Sequence, residues 1–283
     1  MIACIWIADR ASFPLRARRP GESGQANTPQ PVPGLSGVTQ IDISGSDGYA
    51  VRSDGSLWAW GQNGLGELGN GTTASRFSPG PVPGLTGITQ VSAAPGYVLA
   101  RRSDGTVWAW GANSYGQLGD GTEVSRTSPE QLALTGVTQV AIGINAGAGA
   151  VRSDGTLLTW GCNAWGQLGN GNSHQFGLPP EPVRSLAGVT QVAFGGFIGA
   201  GYGLAIGSQA YATVPSLRGL TVAAAGQHLQ AANLVLGTET TAVDNTCENI
   251  GRVMGQTPAA GTVLIGGSAV SITIGQRPSH PCP

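Results

Sequence analysis

The sequence predicts a mainly β fold: about three and a half four-stranded blades of a β-propeller, followed by a small α+β domain. Three observations carry this. Glycine and proline abound, marker motifs return every fifty residues, and the composition shifts after Thr213. Glycine (47) and proline (18) make up about 23% of the 283 residues, against roughly 12% in average composition. That content favours many turns and short strands over long helices.

The repeat is read from its markers. SDG begins at Ser53, Ser103 and Ser153, WG at Trp60, Trp110 and Trp160, and LG at Leu68, Leu118 and Leu168. A further marker, VTQ or ITQ, begins at Val38, Ile88, Val137 and Val189, so four units start and three finish. Within a unit, GITQVSAA (from Gly87) and GYVLARRSDG (from Gly96) are short apolar runs. Asp104-Gly105 then supplies a turn between antiparallel strands, as do Asp54-Gly55 and Asp154-Gly155, because glycine enters positive φ without steric cost. TVWAW alternates, with Val107 and Ala109 on one side and Trp108 and Trp110 on the other. Burying one tryptophan face contributes on the order of 2 to 3 kcal/mol, which so small a sheet cannot achieve alone. Each unit needs a neighbour, and sheet repeats of this length are the signature of radially packed blades.

WAWGxNxxGQLGDGT after an SDG turn resembles the regulator of chromosome condensation repeat family, over roughly residues 30–212. The resemblance implies a seven-bladed propeller with four strands per blade, which needs roughly 350 residues. This chain supplies about half of that. A histidine common in the family's second strand is absent, with small residues around Gly48, Gly96 and Ala146 in its place. The fourth unit, VTQVAFGGFIGAGYGLAIGSQAYA, has GSQ where SDG stood and no WG, so it reads as half a blade. At the other end, GESGQANTPQPVPGLSGVTQ aligns with GTTASRFSPGPVPGLTGITQ. Residues 1–29 therefore read as an irregular or mis-started amino terminus with the remnant of a preceding repeat, as in a fragment of a longer gene product.

Beyond Thr213, VPSLRGLTVAAAGQHLQAANLVLGT reads as an extended entry, a helix from about Thr221 to Ala232 with Thr221 as N-cap, and a strand. GRVMGQTPAAGTVLIGGSAVSITIG then reads as strand, turn and strand around Pro258-Ala259-Ala260-Gly261. Over residues 213–276 this β-α-β-β unit resembles the PASTA domain, through Val214-Pro215, Gly219-Leu220, Ala224, Leu229, Ala232, the Gln256 to Gly261 turn and Gly267-Ser268 before Val270, Ile272 and Ile274. The resemblance implies a bacterial protein outside the membrane, extracellular or in the cell wall, whose PASTA unit associates with peptidoglycan or serves as a spacer. Cysteine usage agrees with that location. A Cys247–Cys282 bridge is expected to tie the tail, residues 277–283, to the domain, and closing that loop contributes roughly 3 to 4 kcal/mol in the chain-entropy model. Cys4 and Cys162 look unpaired.

Composition narrows the chemistry. The net charge of −1 and 10% charged residues lack the basic footprint of nucleic-acid binding. All 14 basic residues are arginines, which excludes a phosphate-loop lysine and a Schiff-base lysine. His174, His228 and His280 are dispersed and no HxxxH or CxxC spacing occurs, so neither a metal nor a cofactor is expected. The opening MIACIWIADRASFPLRARRP reverses the charge order of a secretory signal, and no segment reaches the ~18 apolar residues of a membrane span.

No catalytic residue is expected either. GQLGDG (Gly116 to Gly121) lacks the following helix that a phosphate site requires, and Asp54, Asp104 and Asp154 read as turn formers. Arg76 and Arg126 occupy equivalent positions, where the third copy has Phe176, and read as interblade packing or hydrogen bonding. The position two after Asn63, Asn113 and Asn163 varies among Leu65, Tyr115 and Trp165 while its neighbours hold still. A large side chain there is either a partner contact on the propeller face or packing between adjacent loops. The function expected is a non-enzymatic cell-envelope or secreted binding protein with an unidentified protein partner on the propeller. The alternative is a secreted inhibitor of an extracellular enzyme such as a β-lactamase. Guanine nucleotide exchange, the eukaryotic family role, is disfavoured by the extracellular placement that the PASTA resemblance implies.

Overall fold

Every Asp-Gly step of the repeat closes a hairpin in the same way. In the computed structural model of the chain, which describes residues 4–5, 30–173, 175–197 and 200–279, the Gly55 amide donates to Arg52 O and the Arg52 amide to Ser56 O, both at 2.9 Å. Gly105 and Gly155 repeat this on Arg102 and Arg152 at 3.0 Å. The three glycines have φ of 76°, 79° and 80°, and the aspartates before them stay outside that left-handed region. The connection is therefore a three-residue loop with glycine at its bulge, not a two-residue turn with both residues at positive φ.

Two short strands, β1 (Cys4–Ile5) and β2 (Gln30–Pro31), pair antiparallel. Three four-stranded blades follow, each a meander in chain order. The first is β3 (Val38–Ser44), β4 (Asp47–Arg52), β5 (Leu57–Gly61) and β6 (Arg76–Pro81). The second is β7 (Ile88–Ala94), β8 (Tyr97–Arg102), β9 (Val107–Gly111) and β10 (Arg126–Gln131). The third is β11 (Val137–Ile142), β12 (Gly147–Arg152), β13 (Leu157–Asn163) and β14 (Gln175–Pro182). β15 (Leu186–Phe197) and β16 (Ala200–Gln209) form a two-stranded sheet where the motifs run out. The outermost strands carry the prolines Pro79 and Pro81, Pro129, and Pro179, Pro180 and Pro182. An edge strand tolerates them because its outward N–H groups have no ladder partner to lose.

Blades are packed and stitched in series. Trp110 joins Tyr49, Val51, Leu57, Ala59 and Leu68 of the first blade in one buried cluster, with Trp108 against its rim. Val107 and Ala109, from the opposite face of β9, lie in a second cluster with Val137, Val140, Ala148 and Trp160 of the third blade. The facing read from the alternation of TVWAW is the one observed. Three polar contacts recur at the junctions, the first at two of them and the other two at three. The indole of Trp110 donates to Glu67 O at 2.8 Å, and that of Trp160 to Gln117 O at 3.0 Å. The amides of Ile88, Val137 and Val189 donate to the SDG glycine carbonyls of Gly55, Gly105 and Gly155. The glutamines of the first three VTQ or ITQ markers clasp both backbone groups of a valine in the next innermost strand: Gln40 on Val91, Gln90 on Val140, and Gln139 on Val192, at 2.7–3.0 Å.

Two compact units divide the chain: residues 1–182 with 189–206, and residues 183–188 with 207–283. The second holds β17 (Tyr211–Thr213), α1 (Val222–Ala231), β18 (Val235–Val243), β19 (Val253–Thr257), β20 (Val263–Ile265) and β21 (Ala269–Gln276). β18 runs parallel to the central β21, β19 antiparallel to it, and β17 pairs with β20. The Thr221 hydroxyl caps α1 by accepting from the Ala224 amide at 3.2 Å, as its position before the apolar run predicts. Val214, Leu217, Ala225, Leu229, Leu234, Val253, Val270 and Ile272 are its core. Cys162 is buried with a free thiol. Cys247 is disulfide-bonded; Cys282, the partner expected from the sequence, lies outside the described residues.

Candidate partner-recognition face

The loops between the third and fourth strands of each blade hang on a buried asparagine. Asn113 Nδ2 reaches Thr122 O (2.9 Å), Asp120 Oδ1 (3.0 Å) and Val124 O (3.3 Å), and its Oδ1 accepts from the Leu118 amide at 2.9 Å. Asn63 does the same with Thr72, Asn70, Ala74 and Leu68, and Asn163 with Asn172, Asn170 and Leu168. An asparagine amide supplies donors and acceptor on one short side chain, so it satisfies several loop carbonyls and one amide without solvent. The glycines after Leu68 and Leu118 have a packing reason. A Cβ on Gly69 would lie 2.8 Å from the Trp110 indole nitrogen, and one on Gly119 2.6 Å from that of Trp160.

Leu65, Tyr115 and Trp165 rise from these loops, each about half exposed. Their backbones are fixed from two residues ahead: the Tyr115 and Trp165 amides donate to Gln117 and Gln167 Oε1 at 2.9 Å, and the Leu65 amide to Glu67 Oε2 at 2.7 Å. Two of the three also lean on the next blade. Leu65 Cδ1 approaches Gly96 so closely that a Cβ there would meet it at 2.6 Å. Tyr115 packs its ring on Phe176, with centroids 5.7 Å apart and planes tilted by 38°. Side chains half in solvent on rigid loops suit recognition, since little ordering entropy remains to be lost on binding.

The other residues singled out from the sequence fall in the framework. Asp54 Oδ1 accepts from the Ser56 hydroxyl and amide at 2.6 and 2.9 Å, and Asp104 and Asp154 bond Thr106 and Thr156 in the same way. These bonds hold all three carboxyls below the usual range. Arg76 and Arg126 bond within their own blades. Arg76 donates to Ala59 O and Gly80 O, and Arg126 pairs with Asp120 and Glu130 at 2.9 Å. Trp60 is buried like Trp110 and Trp160, but its indole N–H has no partner among the described residues.

Two features of the framework leave only a faint trace in the residue pattern. The VTQ and ITQ glutamines Gln40, Gln90 and Gln139 are interblade clasps. Glu67 stands where the other repeats have Gln117 and Gln167, and with buried Asp47 it forms an acid pair. Burial, reinforced by the Glu67 carboxylate, pushes Asp47 up to about 7 against bonds from the Gln62 amide and Ser46. The signal was GELG against GQLG. Among the described residues no three His, Cys, Asp or Glu side chains converge as a metal site, and no helix is long and apolar enough to cross a membrane.

Comparison with known proteins agrees with this architecture. The family described as Regulator of chromosome condensation (RCC1) repeat matches residues 54–101, 104–147 and 154–200, with a second profile of that repeat on 88–117. The PASTA domain family matches residues 212–276. Among solved structures, Prp20p of Saccharomyces cerevisiae, reported with its binding to Gsp1p and histones, aligns at TM-score 0.56 and 19% identity over 72% of this chain and 48% of its own. Human WBSCR16 aligns at TM-score 0.50 and 21% identity over 59% and 45%, and yeast RCC1 (Prp20) bound to Kap60 at 0.50 and 21% over 60% and 40%. These likenesses are of fold. The chain spans about half the length of Prp20p or less. A search of curated proteins found no match.

Proposed function

The chain carries regulator of chromosome condensation repeats over residues 54–200 followed by a PASTA domain over 212–276, and from that pairing we propose that it is a non-enzymatic binding protein of the cell envelope. The repeats present a protein-recognition face and the PASTA domain associates the chain with peptidoglycan. The observation that supports the first half is the set of half-exposed side chains Leu65, Tyr115 and Trp165 on loops that buried asparagines hold rigid. Aromatic anchors on a fixed frame are what hot spots are made of.

A photoreactive residue at position 165 is expected to crosslink a single secreted or wall-bound protein. The double substitution Tyr115→Ala/Trp165→Ala is expected to weaken that complex at least about tenfold at a temperature well below its unfolding midpoint. Unaltered affinity would rule this face out. The partner's identity separates two readings: an extracellular enzyme such as a β-lactamase, inhibited on binding, would make the protein an inhibitor.

The extracellular setting carries its own expectation. Non-reducing peptide mapping of the secreted chain should recover a Cys247–Cys282 peptide and free thiols at Cys4 and Cys162. A different partner for Cys247 would refute the pairing.

A further inference from the structure

We infer that the junction between the second and third blades takes an arginine side chain of the partner, received by the Tyr115 and Phe176 rings and the Glu123 carboxylate. The inference deepens the recognition-face reading and rests on it. The three groups meet around Gly177. Its amide donates to Tyr115 O at 3.1 Å. Its chain neighbour Phe176 packs on Tyr115 with ring centroids 5.7 Å apart, and Glu123 Oε1 lies 2.8 Å from where a Cβ on Gly177 would stand. Gly116, next to Tyr115, closes on the same residue, since a Cβ there would meet Gly177 Cα at 2.7 Å. The loop that carries Tyr115 and Glu123 is thereby seated on β14. Its groups remain open to solvent: Tyr115 is 49% and Phe176 54% exposed, and Glu123 is exposed as well.

The repeat itself requires none of the three. At the junction between the first and second blades the same positions hold Leu65, Arg126 and Thr73, and the loop is seated in the same way: Gly66 closes on Thr127, and the Gly71 amide donates to Thr127 O. There the chain supplies its own cation, for Arg126 reaches Asp120 and Glu130 at 2.9 Å. At the second junction phenylalanine stands in place of that arginine, Asn170 in place of Asp120, and a carboxylate is added at Glu123. Among the described residues the Glu123 carboxylate makes no hydrogen bond or ion pair. Two rings and a carboxylate are thus brought together without a cation.

An aromatic face attracts a cation through its quadrupole, and a guanidinium suits this site best. It is planar and weakly hydrated, so it stacks on a ring while its N–H fork binds a carboxylate. The chain makes that combination internally: the Arg52 guanidinium lies 5.3 Å from the centroid of the Trp58 ring and 3.5 Å from Asp54. A partner that covers the loops removes water from the rings and the carboxylate together, which strengthens the attraction. An aliphatic side chain in the same place would satisfy the rings and leave a desolvated carboxylate unpaired, which opposes binding.

The test titrates N-acetyl-arginine amide, and separately its uncharged citrulline counterpart, into the full chain, read by the aromatic NMR signals of Tyr115 and Phe176. The arginine probe is expected to shift both signals saturably by about 100 mM, and the citrulline probe to leave them in place. Glu123→Gln, at an exposed position, is expected to weaken the arginine response at least about fivefold. Tyr115→Leu, which restores the residue of the first repeat, is expected to reduce the Phe176 shift at least about twofold. A response equal for the two probes, unchanged in Glu123→Gln, or absent from the wild type would each overturn the site. No partner enters the titration, so a failed crosslink at position 165 overturns the recognition face, while the titration judges the arginine site by itself.

Discussion

Trp110→Ala is expected to lower the unfolding free energy by about 3–5 kcal/mol, the range for truncating a fully buried aromatic residue. The indole is inaccessible to solvent and wedged between the first and second blades. Its removal opens a cavity beside Leu68 and Gly69 and takes away the donor to Glu67 O. In a linear array, stability is a sum of unit and nearest-neighbour terms, so the loss falls on one junction. Denaturant unfolding should show the first blade melting ahead of the rest, as a separate early transition. Substitution by phenylalanine divides the packing from the bond. Trp110→Phe and Trp160→Phe each lose an N–H···O=C bond and are expected to cost about 1–2 kcal/mol more than Trp60→Phe, because the buried Trp60 N–H has no partner among the described residues. Equal costs at the three positions would refute the tryptophan lock.

Raising the pH from 4 to 8 is expected to destabilise the first blade by on the order of 2–4 kcal/mol, and Asp47→Asn to remove most of that loss. The Asp47 carboxyl is buried beside Glu67 and its folded pKa rises from 3.8 to about 7. A carboxyl with a raised folded pKa contributes its full stability below the unfolded value and loses it as pH climbs through the folded one. The window is therefore about pH 4 to 7. Asp104, Asp120, Asp154 and Asp244 are shifted the other way, so their contributions are lost only as pH falls below about 4. The two sets do not overlap. Asp47→Asn keeps an acceptor for the Gln62 amide, and Glu67→Gln restores the amide that Gln117 and Gln167 supply to their own loops. Both variants should be more stable than wild type at pH 8 and near it at pH 4. A wild-type midpoint flat across that window would contradict the assignment.

The architecture was legible because its markers are constrained residue by residue. SDG needs glycine at positive φ, LG needs a glycine under the next indole, and the tryptophan needs a neighbouring blade. What the sequence hid are contacts whose partner is main chain in another unit. No residue pattern shows that Gln90 reaches the backbone of Val140, or that Trp110 reaches Glu67 O. The outer strands β6, β10 and β14 were also obscure, since prolines and the absence of alternation disguise a strand that sits at an edge. At the loop face, variation at Leu65, Tyr115 and Trp165 was visible. That Tyr115 also packs on Phe176 was not, because two loops from different blades meet only in the fold.

The proposed recognition face tied to the bacterial wall meets its most direct test in cosedimentation of the full chain with purified peptidoglycan. The chain is expected to pellet saturably with the sacculi, and Tyr115→Ala/Trp165→Ala to pellet equally well, because the proposal assigns wall association to the PASTA domain and partner binding to the loops. A chain that stays in the supernatant at every sacculus concentration would contradict wall association and leave the PASTA domain as a spacer.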